Sequence, residues 1–479
     1  MLLSPQTLVK STALDSYFVH YGKYSSTFPP LYPRKQLRLV KSCIVSSLKA
    51  GLKHGALIIQ DGNETLHFGQ SNPLKSDETL LIGRITVVNK NFWARVYLSH
   101  DLGFAEAYMH GDFVASPADV KTILDLWIRN REHLSGLSSY VNHVSVVLSA
   151  LYVKTFGQSL SNAKLNAMTG YDVCNDFFKS FLSKDMTYSC AVFPEKAGDA
   201  RGDLTDSWRE DDLYTAQIHK IHLLLERARL RPGHRLLEFG TGWGQLAIEA
   251  AKMGCTVDTL TLSIQQKILA EQRIADEGLQ DKIRVHLLDY RNLPQNFQHQ
   301  FDAFICVEMI EAVGVKYLPK FFEILDWALK PDRAAAVITA TTQPESRFSL
   351  YQAEDYARKY QWPNSFCPSP TYLVSTVEAA LHGKLIVESI EQFAGHYART
   401  LREWAMRLQK SWGPDVIKSL IKSQPHLAEG DNLNIFKRKW EYMYVYAEIG
   451  YARGYTGLHH FTFVRPSLES HDSFPTPCN

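Results

Sequence analysis

An α/β fold is predicted, a doubly wound parallel sheet preceded by a smaller α+β unit. Three observations predict it. Residues 236–247, LLEFGTGWGQLA, pass from an apolar run through a glycine turn into a second apolar run. Further short apolar runs follow at 255–260, 283–288, 302–307 and 334–340, with helical segments between most of them. Strands alternating with helices build a parallel sheet covered on both faces. Upstream, residues 56–60 and 64–68 flank Asp61-Gly62-Asn63, a hairpin signal.

The elements follow in chain order. Residues 1–30 are expected to be loosely ordered. Residues 34–53, RKQLRLVKSCIVSSLKAGLK, carry Arg34, Lys35, Arg38, Lys41, Lys49 and Lys53 and no acidic residue. Leu37, Val40, Ile44 and Leu48 recur at three- and four-residue spacing, which places them on one helix face. Such a helix either lies on an anionic bilayer or packs on its own domain; the second is the commoner arrangement. Residues 81–98 continue in strand-like alternation, and 117–133 are helical. The expected division is an N-terminal α+β domain at 1–135, a helical connector at 136–164, a main α/β domain at 165–466 and a frayed polar tail at 467–479.

In the core, Gly240, Gly242 and Gly244 allow a tight turn and the close approach of a ligand. The following helix presents its positive end there. Glu238 closes the first strand, where a carboxylate can orient the ammonium of an amino-acid-like ligand. Ligands on such sheets bind at the carboxyl ends of the strands; Gln266, Asp289 and Glu308 also fall near those ends. Residues 345–437 interrupt the pattern and are expected to cover the strand ends as a substrate pocket. Trp404, Trp412, Trp440, Tyr442, Tyr444 and Tyr446 are read mostly as core, with one or two lining that pocket.

Composition excludes several classes. The 479 residues suffice for two or three domains with substantial cores. A net charge of +2 provides no global field for nucleic acid or membrane. The 7 cysteines are scattered and none forms CxxC, so neither a disulfide framework nor a zinc or other metal site is expected. The N-terminus shows no clear signal peptide, and no apolar stretch has the length of a transmembrane helix.

A series of segments then identifies a family. In order they are GFAEAYMHGDF (103–113), GYDVCNDFF (170–178), MTYSCAVF (186–193), LLEFGTGWG (236–244), TLSIQQ (261–266), DYR (289–291), VEMIEAVG (307–314), HYARTLREW (396–404) and WEYMYVYAEIGYARGYTG (440–457). The chain resembles the cyclopropane fatty acid synthases, including the mycolic acid cyclopropane synthases, from about residue 92 to 466. The resemblance implies a Rossmann-like methyltransferase core that uses S-adenosylmethionine (SAM) on a cis double bond of an unsaturated, phospholipid-bound acyl chain. It implies cofactor contacts at Tyr188, Ser189, Gly240, Gly242, Gln266 and Arg291; Glu238, Gly244, Thr261 and Tyr290 join them from the same segments. It implies a bound bicarbonate as base, held by Cys190 through its backbone amide, by Glu311 and by Tyr397.

Departures from the family pattern accompany these matches. The histidine expected on the strand after Pro331 is missing, Thr339 being the nearest match. Ala312 replaces another histidine, and Gly170 and Cys174 alter the usual HYDxGN. The expected product is a cyclopropane. A methyl-branched or methylene product, or a non-catalytic SAM- and lipid-binding homologue, stays open. The expected setting is cytoplasmic with peripheral membrane contact, and a homodimer is left open.

Overall fold

The computed structural model describes residues 34–70, 81–134, 173–205 and 208–466. The expected connector at 136–164, the tail and Gly170 lie outside these residues, as does the expected boundary at 135.

The N-terminal unit begins with helix α1 (Arg34–Gly51). Strands β1 (Ala56–Asp61) and β2 (Glu64–Gly69) form the expected hairpin, Asp61 pairing with Glu64 across a two-residue turn in which Gly62 takes φ 63°. Strand β3 (Ile82–Val87) runs parallel to β1, and helix α2 (Asn91–Met109), strand β4 (Phe113–Val114) and helix α3 (Pro117–Arg129) complete a sheet of order β2-β1-β3-β4. The strand-like alternation expected through residue 98 therefore ends at Val87. Beyond it the segment is helical with a break at His100, and Phe92 and Phe104, one on each side of the break, both pack on Phe113, so burial against that ring decides the helix over the strand.

Helix α1 packs on its own domain. Val40, Ile44 and Leu48 are buried in the same core as Leu57, Ile59 and Phe68. Lys41 pairs with Asp61 and Glu64, so one of its cations is neutralised at home. The apolar face is thus not free to enter a bilayer; Arg38, Lys49 and Lys53 stay exposed.

The short helix α4 (Arg131–Leu134) packs back on α1 and closes the N-terminal unit; the catalytic unit adds helices α5 (Asn175–Lys179) and α6 (Asp212–Arg227), then β5 (Arg235–Phe239), α7 (Gln245–Lys252), β6 (Thr256–Thr261), α8 (Ile264–Asp276), β7 (Ile283–Leu287), β8 (Ala303–Val307), α9 (Leu318–Ala328) and β9 (Ala335–Thr342). These five strands are parallel, as expected. Leu236, Leu237, Phe304 and Ile305 are wholly buried, since helices cover both faces of the sheet. After α10 (Pro370–Leu381) the chain returns to the sheet as β10 (Ile386–Gln392); α11 (Ala394–Ser411), α12 (Pro414–Ser423) and α13 (Asn432–Ala452) then lead to β11 (Gly457–Val464).

The seven-stranded order is β10-β11-β9-β8-β5-β6-β7, with β11 antiparallel to both neighbours. The sheet is therefore mixed rather than wholly parallel, and residues 345–437 are not purely an insertion. Strand β10 is an edge strand with a largely solvated surface, so its sequence IVESIEQ lacks the apolar run of a central strand. Strand order reverses at β5, which opens a crevice at its carboxyl end.

The two units are joined firmly. Tyr108 packs on Tyr442 of α13 with ring centroids 5.8 Å apart. Arg453 donates to Asp125 at 2.7 Å, and Lys121 meets Glu448 at 2.5 Å.

Candidate active site

A cavity of about 880 Å³ opens at the carboxyl ends of β5, β6 and β8. One end is built by the glycine turn. Gly240, Gly242 and Gly244 all have positive φ, at 94°, 53° and 89°. A Cβ on Gly242 would meet nothing within 4 Å, so this position faces open space. Beneath it lies Glu238, 2% exposed, with Oε2 lacking a partner among the described residues. Burial pushes its carboxyl up to about 8, against hydrogen bonding from Thr259 and the Lys220 charge. At β6 the Thr261 hydroxyl donates to Gln266 Oε1 at 2.7 Å, and Ser263 caps α8. At β7, Arg291 grips Asp289 through Nε at 2.9 Å and Nη2 at 2.6 Å, while the buried Tyr290 hydroxyl has no partner among the described residues.

The other end gathers carboxylates and aromatic rings. The Cys190 amide donates to Glu308 Oε1 at 2.7 Å. Its thiol turns away, to the Ala191 carbonyl at 3.2 Å. Glu311 Oε1 accepts from the Thr341 amide at 2.5 Å, and Oε2 has no partner among the described residues. Burial, and then the Glu308 charge, push the Glu311 carboxyl up to about 7. Tyr397 stacks on Tyr451 with centroids 4.4 Å apart, and the Tyr451 hydroxyl shares a 2.9 Å hydrogen bond with Thr341. Tyr188 stacks on Trp404 at 5.0 Å. Lys220 donates to the Ser189 hydroxyl at 2.6 Å, beneath both ends.

Part of the remaining wall is apolar, and Asp101, Arg347, Asp355 and Arg358 add charged groups to it. Leu98, Leu102, Leu124, Trp127 and Ile128 of the N-terminal unit face the cavity from α2 and α3. A pocket with an apolar stretch and a few placed polar groups suits a ligand that is largely hydrocarbon.

Residues 158–425 match the family model described as mycolic acid cyclopropane synthetase. The chain belongs to that family. Among its relatives, tuberculostearic acid methyltransferase UfaA1 of Mycobacterium tuberculosis is 31% identical over 365 residues, 76% of this chain and 79% of the relative. The cyclopropane-fatty-acyl-phospholipid synthase of Escherichia coli K12 is 29% identical over 332 residues, covering 68% and 77% of the two chains. The crystal structure of mycolic acid cyclopropane synthase CmaA1 complexed with SAH and CTAB superposes with a TM-score of 0.51 at 25% identity, over 63% of this chain and 98% of that one. This cyclopropane synthetase family member is accordingly a SAM-dependent methyltransferase with the fold of those enzymes.

Its residues fit SAM. The unpaired Glu238 oxygen and the open space over Gly242 lie at one end of the cavity. Tyr188, Ser189, Glu238, Gly240, Gly242, Thr261, Gln266, Tyr290 and Arg291 all line it, as do Glu311 and Tyr397. Two residues named from the sequence do not. Gly244 caps α7, and a Cβ there would meet Ala270 at 3.3 Å, so it serves helix packing. Cys190 reaches the site only through its amide's bond to Glu308.

Most of the aromatic residues are core: Trp404, Trp440, Tyr442 and Tyr444 are buried, and Trp412 packs on the same cluster. Tyr446 lines the cavity and donates to Asp355 at 3.1 Å. Sequence reasoning missed two groups. Lys220 sits in an ordinary amphipathic helix and no pattern marks it. Glu308 was noticed at a strand end, without a role.

Proposed function

We propose that the protein transfers the methyl group of SAM to a cis double bond of an unsaturated fatty acyl chain, esterified in a phospholipid, and closes it to a cyclopropane. The observation that carries this reading is the carboxylate pair, Glu308 and Glu311, lining the same cavity as the glycine turn. When bound, SAM supplies a methyl on a cationic sulfur, electrophilic enough for an alkene. The apolar wall holds the acyl chain and excludes water. The rings of Tyr397 and Tyr451 and the two carboxylates stabilise the carbocation that attack leaves on the chain. A carboxylate end then accepts the proton whose loss closes the ring. Among the described residues no helix is long and apolar enough to cross a membrane, so a bilayer substrate calls for peripheral contact.

A second reading ends in a methylene or methyl-branched chain. It is supported by the name of the Mycobacterium tuberculosis relative, a tuberculostearic acid methyltransferase, and by Thr339 standing where a histidine was expected. Purified protein, SAM and vesicles of an unsaturated phospholipid separate the readings. Gas chromatography–mass spectrometry of the fatty methyl esters should show the gain of one CH2 group as a ring. A gain without a ring supports the second reading, and no gain overturns both.

Glu238 makes a prediction of its own. With its carboxyl pushed up to about 8 by burial, it is largely protonated at pH 7 in the free protein. A ligand ammonium favours the ionised form, so binding should release a proton. Affinity for SAM should then rise with pH, by up to about tenfold per pH unit, and level off above about pH 8. Calorimetry in two buffers of different ionisation enthalpy reads the proton directly. Glu238→Gln should bind more weakly at pH 8 and release none. Wild-type binding without proton release would remove Glu238 from the ammonium site.

A further inference from the structure

Glu308 follows β8 directly, with φ 48°. A glutamate rarely takes this left-handed conformation, and such strain persists where the surroundings over-determine it and where function uses it. Thr339 provides the restraint. The Glu308 amide donates to the Thr339 carbonyl at 3.0 Å and to its hydroxyl at 3.1 Å. The kink sends the Glu308 carboxyl to the Cys190 amide at 2.7 Å; burial raises it above the usual carboxylate range, and the Cys190 amide, the Tyr397 hydroxyl as a second donor and the Lys220 charge act against that rise. The cysteine amide and the tyrosine are the groups that the family resemblance assigned to a free bicarbonate. In this chain a side chain already holds them. A further anion would stand against both Glu308 and Glu311 in a cavity screened from bulk water, where like charges repel more strongly than in solution.

We propose that Glu308 is the proton acceptor of the reaction, a base built into the chain in place of a bound anion. The assignment rests on the methyl-transfer reading above. The alkene π pair forms the bond to the incoming methyl carbon, and the S–C pair leaves with sulfur. A C–H bond of the new methyl then breaks. Its proton goes to the Glu308 carboxylate, and its electron pair closes the ring onto the cationic carbon. If a hydride first shifts along the chain, the same pair forms an exocyclic double bond instead. Neither route needs an oxidant or reductant, and the proton passes from Glu308 to water. Thr339 is a positioning residue, which accounts for the missing histidine: the position clamps the base.

Glu308→Gly tests this cleanly, because glycine adopts φ 48° without strain and frees the Cys190 amide and Tyr397. In bicarbonate-depleted buffer, wild-type turnover on vesicles of an unsaturated phospholipid should be unchanged. Glu308→Gly should lose at least about 100-fold in turnover with SAM affinity kept, and added bicarbonate should restore part of the rate. Glu308→Gln should show the same loss without rescue, its amide still filling the site. Calorimetric titration with bicarbonate supplies a readout independent of turnover: binding to Glu308→Gly and none to wild type. Wild-type rates in Glu308→Gln, or a wild type that binds or requires bicarbonate, would overturn the assignment. A wild type inactive on every unsaturated lipid would sink the methyl-transfer reading instead, and the titration would still decide who holds the anion site.

Discussion

Gly242→Val is expected to abolish SAM binding in a protein that still folds. The glycine has φ 53°, and nothing lies within 4 Å of an added Cβ, so a valine side chain would stand in the cavity where the cofactor must approach. The backbone cost of a side chain at this φ is about 1–2 kcal/mol. That is less than the stability of a typical domain, about 5–15 kcal/mol, so the variant should keep its circular dichroism with a lowered melting temperature. Loss of affinity should reach at least about 100-fold, or about 2.7 kcal/mol. Gly242→Ala is the internal control: it carries the same backbone strain but intrudes with one methyl, and should bind better than the valine variant. Unchanged SAM affinity in a folded Gly242→Val, measured by calorimetry, would place the cofactor elsewhere.

Glu311→Gln is expected to cut turnover by about 100-fold or more while SAM binding survives, because the lost charge matters mainly when a cation forms on the substrate. Glutamine keeps the acceptor for the Thr341 amide, so the local fold should hold. The pH dependence fixes the sign. Burial and the neighbouring Glu308 push the Glu311 carboxyl up to about 7, so it is neutral below that pH and ionised above it. Wild-type turnover should therefore rise through about pH 7. The deficit of the variant should be large above pH 7 and shrink below it, where the wild-type carboxyl is neutral as well. Full activity in Glu311→Gln, or a deficit that does not change with pH, would remove the charge from the mechanism.

Much of the fold was legible because central parallel strands announce themselves. The run expected as a strand at 302–307 is β8, Ala303–Val307, buried on both faces. Its neighbours β5 and β9, and β6 beyond β5, were legible for the same reason. Strands β10 and β11 were not, because their place depends on partners. Val464 pairs with Ala335 and Gly457 with Thr342, more than a hundred residues apart, and no local period encodes such a register. The segment after Val87 was misread because a short alternation continued into a stretch whose burial against Phe113 favours a helix.

The candidate site divides along the same line. Its cofactor end is local chemistry: Glu238, Gly240 and Gly242 are contiguous, and a strand–glycine–helix turn presents them together whatever surrounds it. The residues of the sequence alone therefore determined an α/β protein with a ligand turn, and its ordered segments determined the family. The proton-accepting end is assembled from afar. Cys190 and Glu308 are 118 positions apart, and Tyr397 comes from a third element. Which of the two glutamates in EMIEAVG meets the cysteine amide depends on one backbone angle at Glu308 and on its clamp by Thr339, in a neighbouring strand. Only the packed sheet brings that clamp into reach, so only the tertiary structure could decide it.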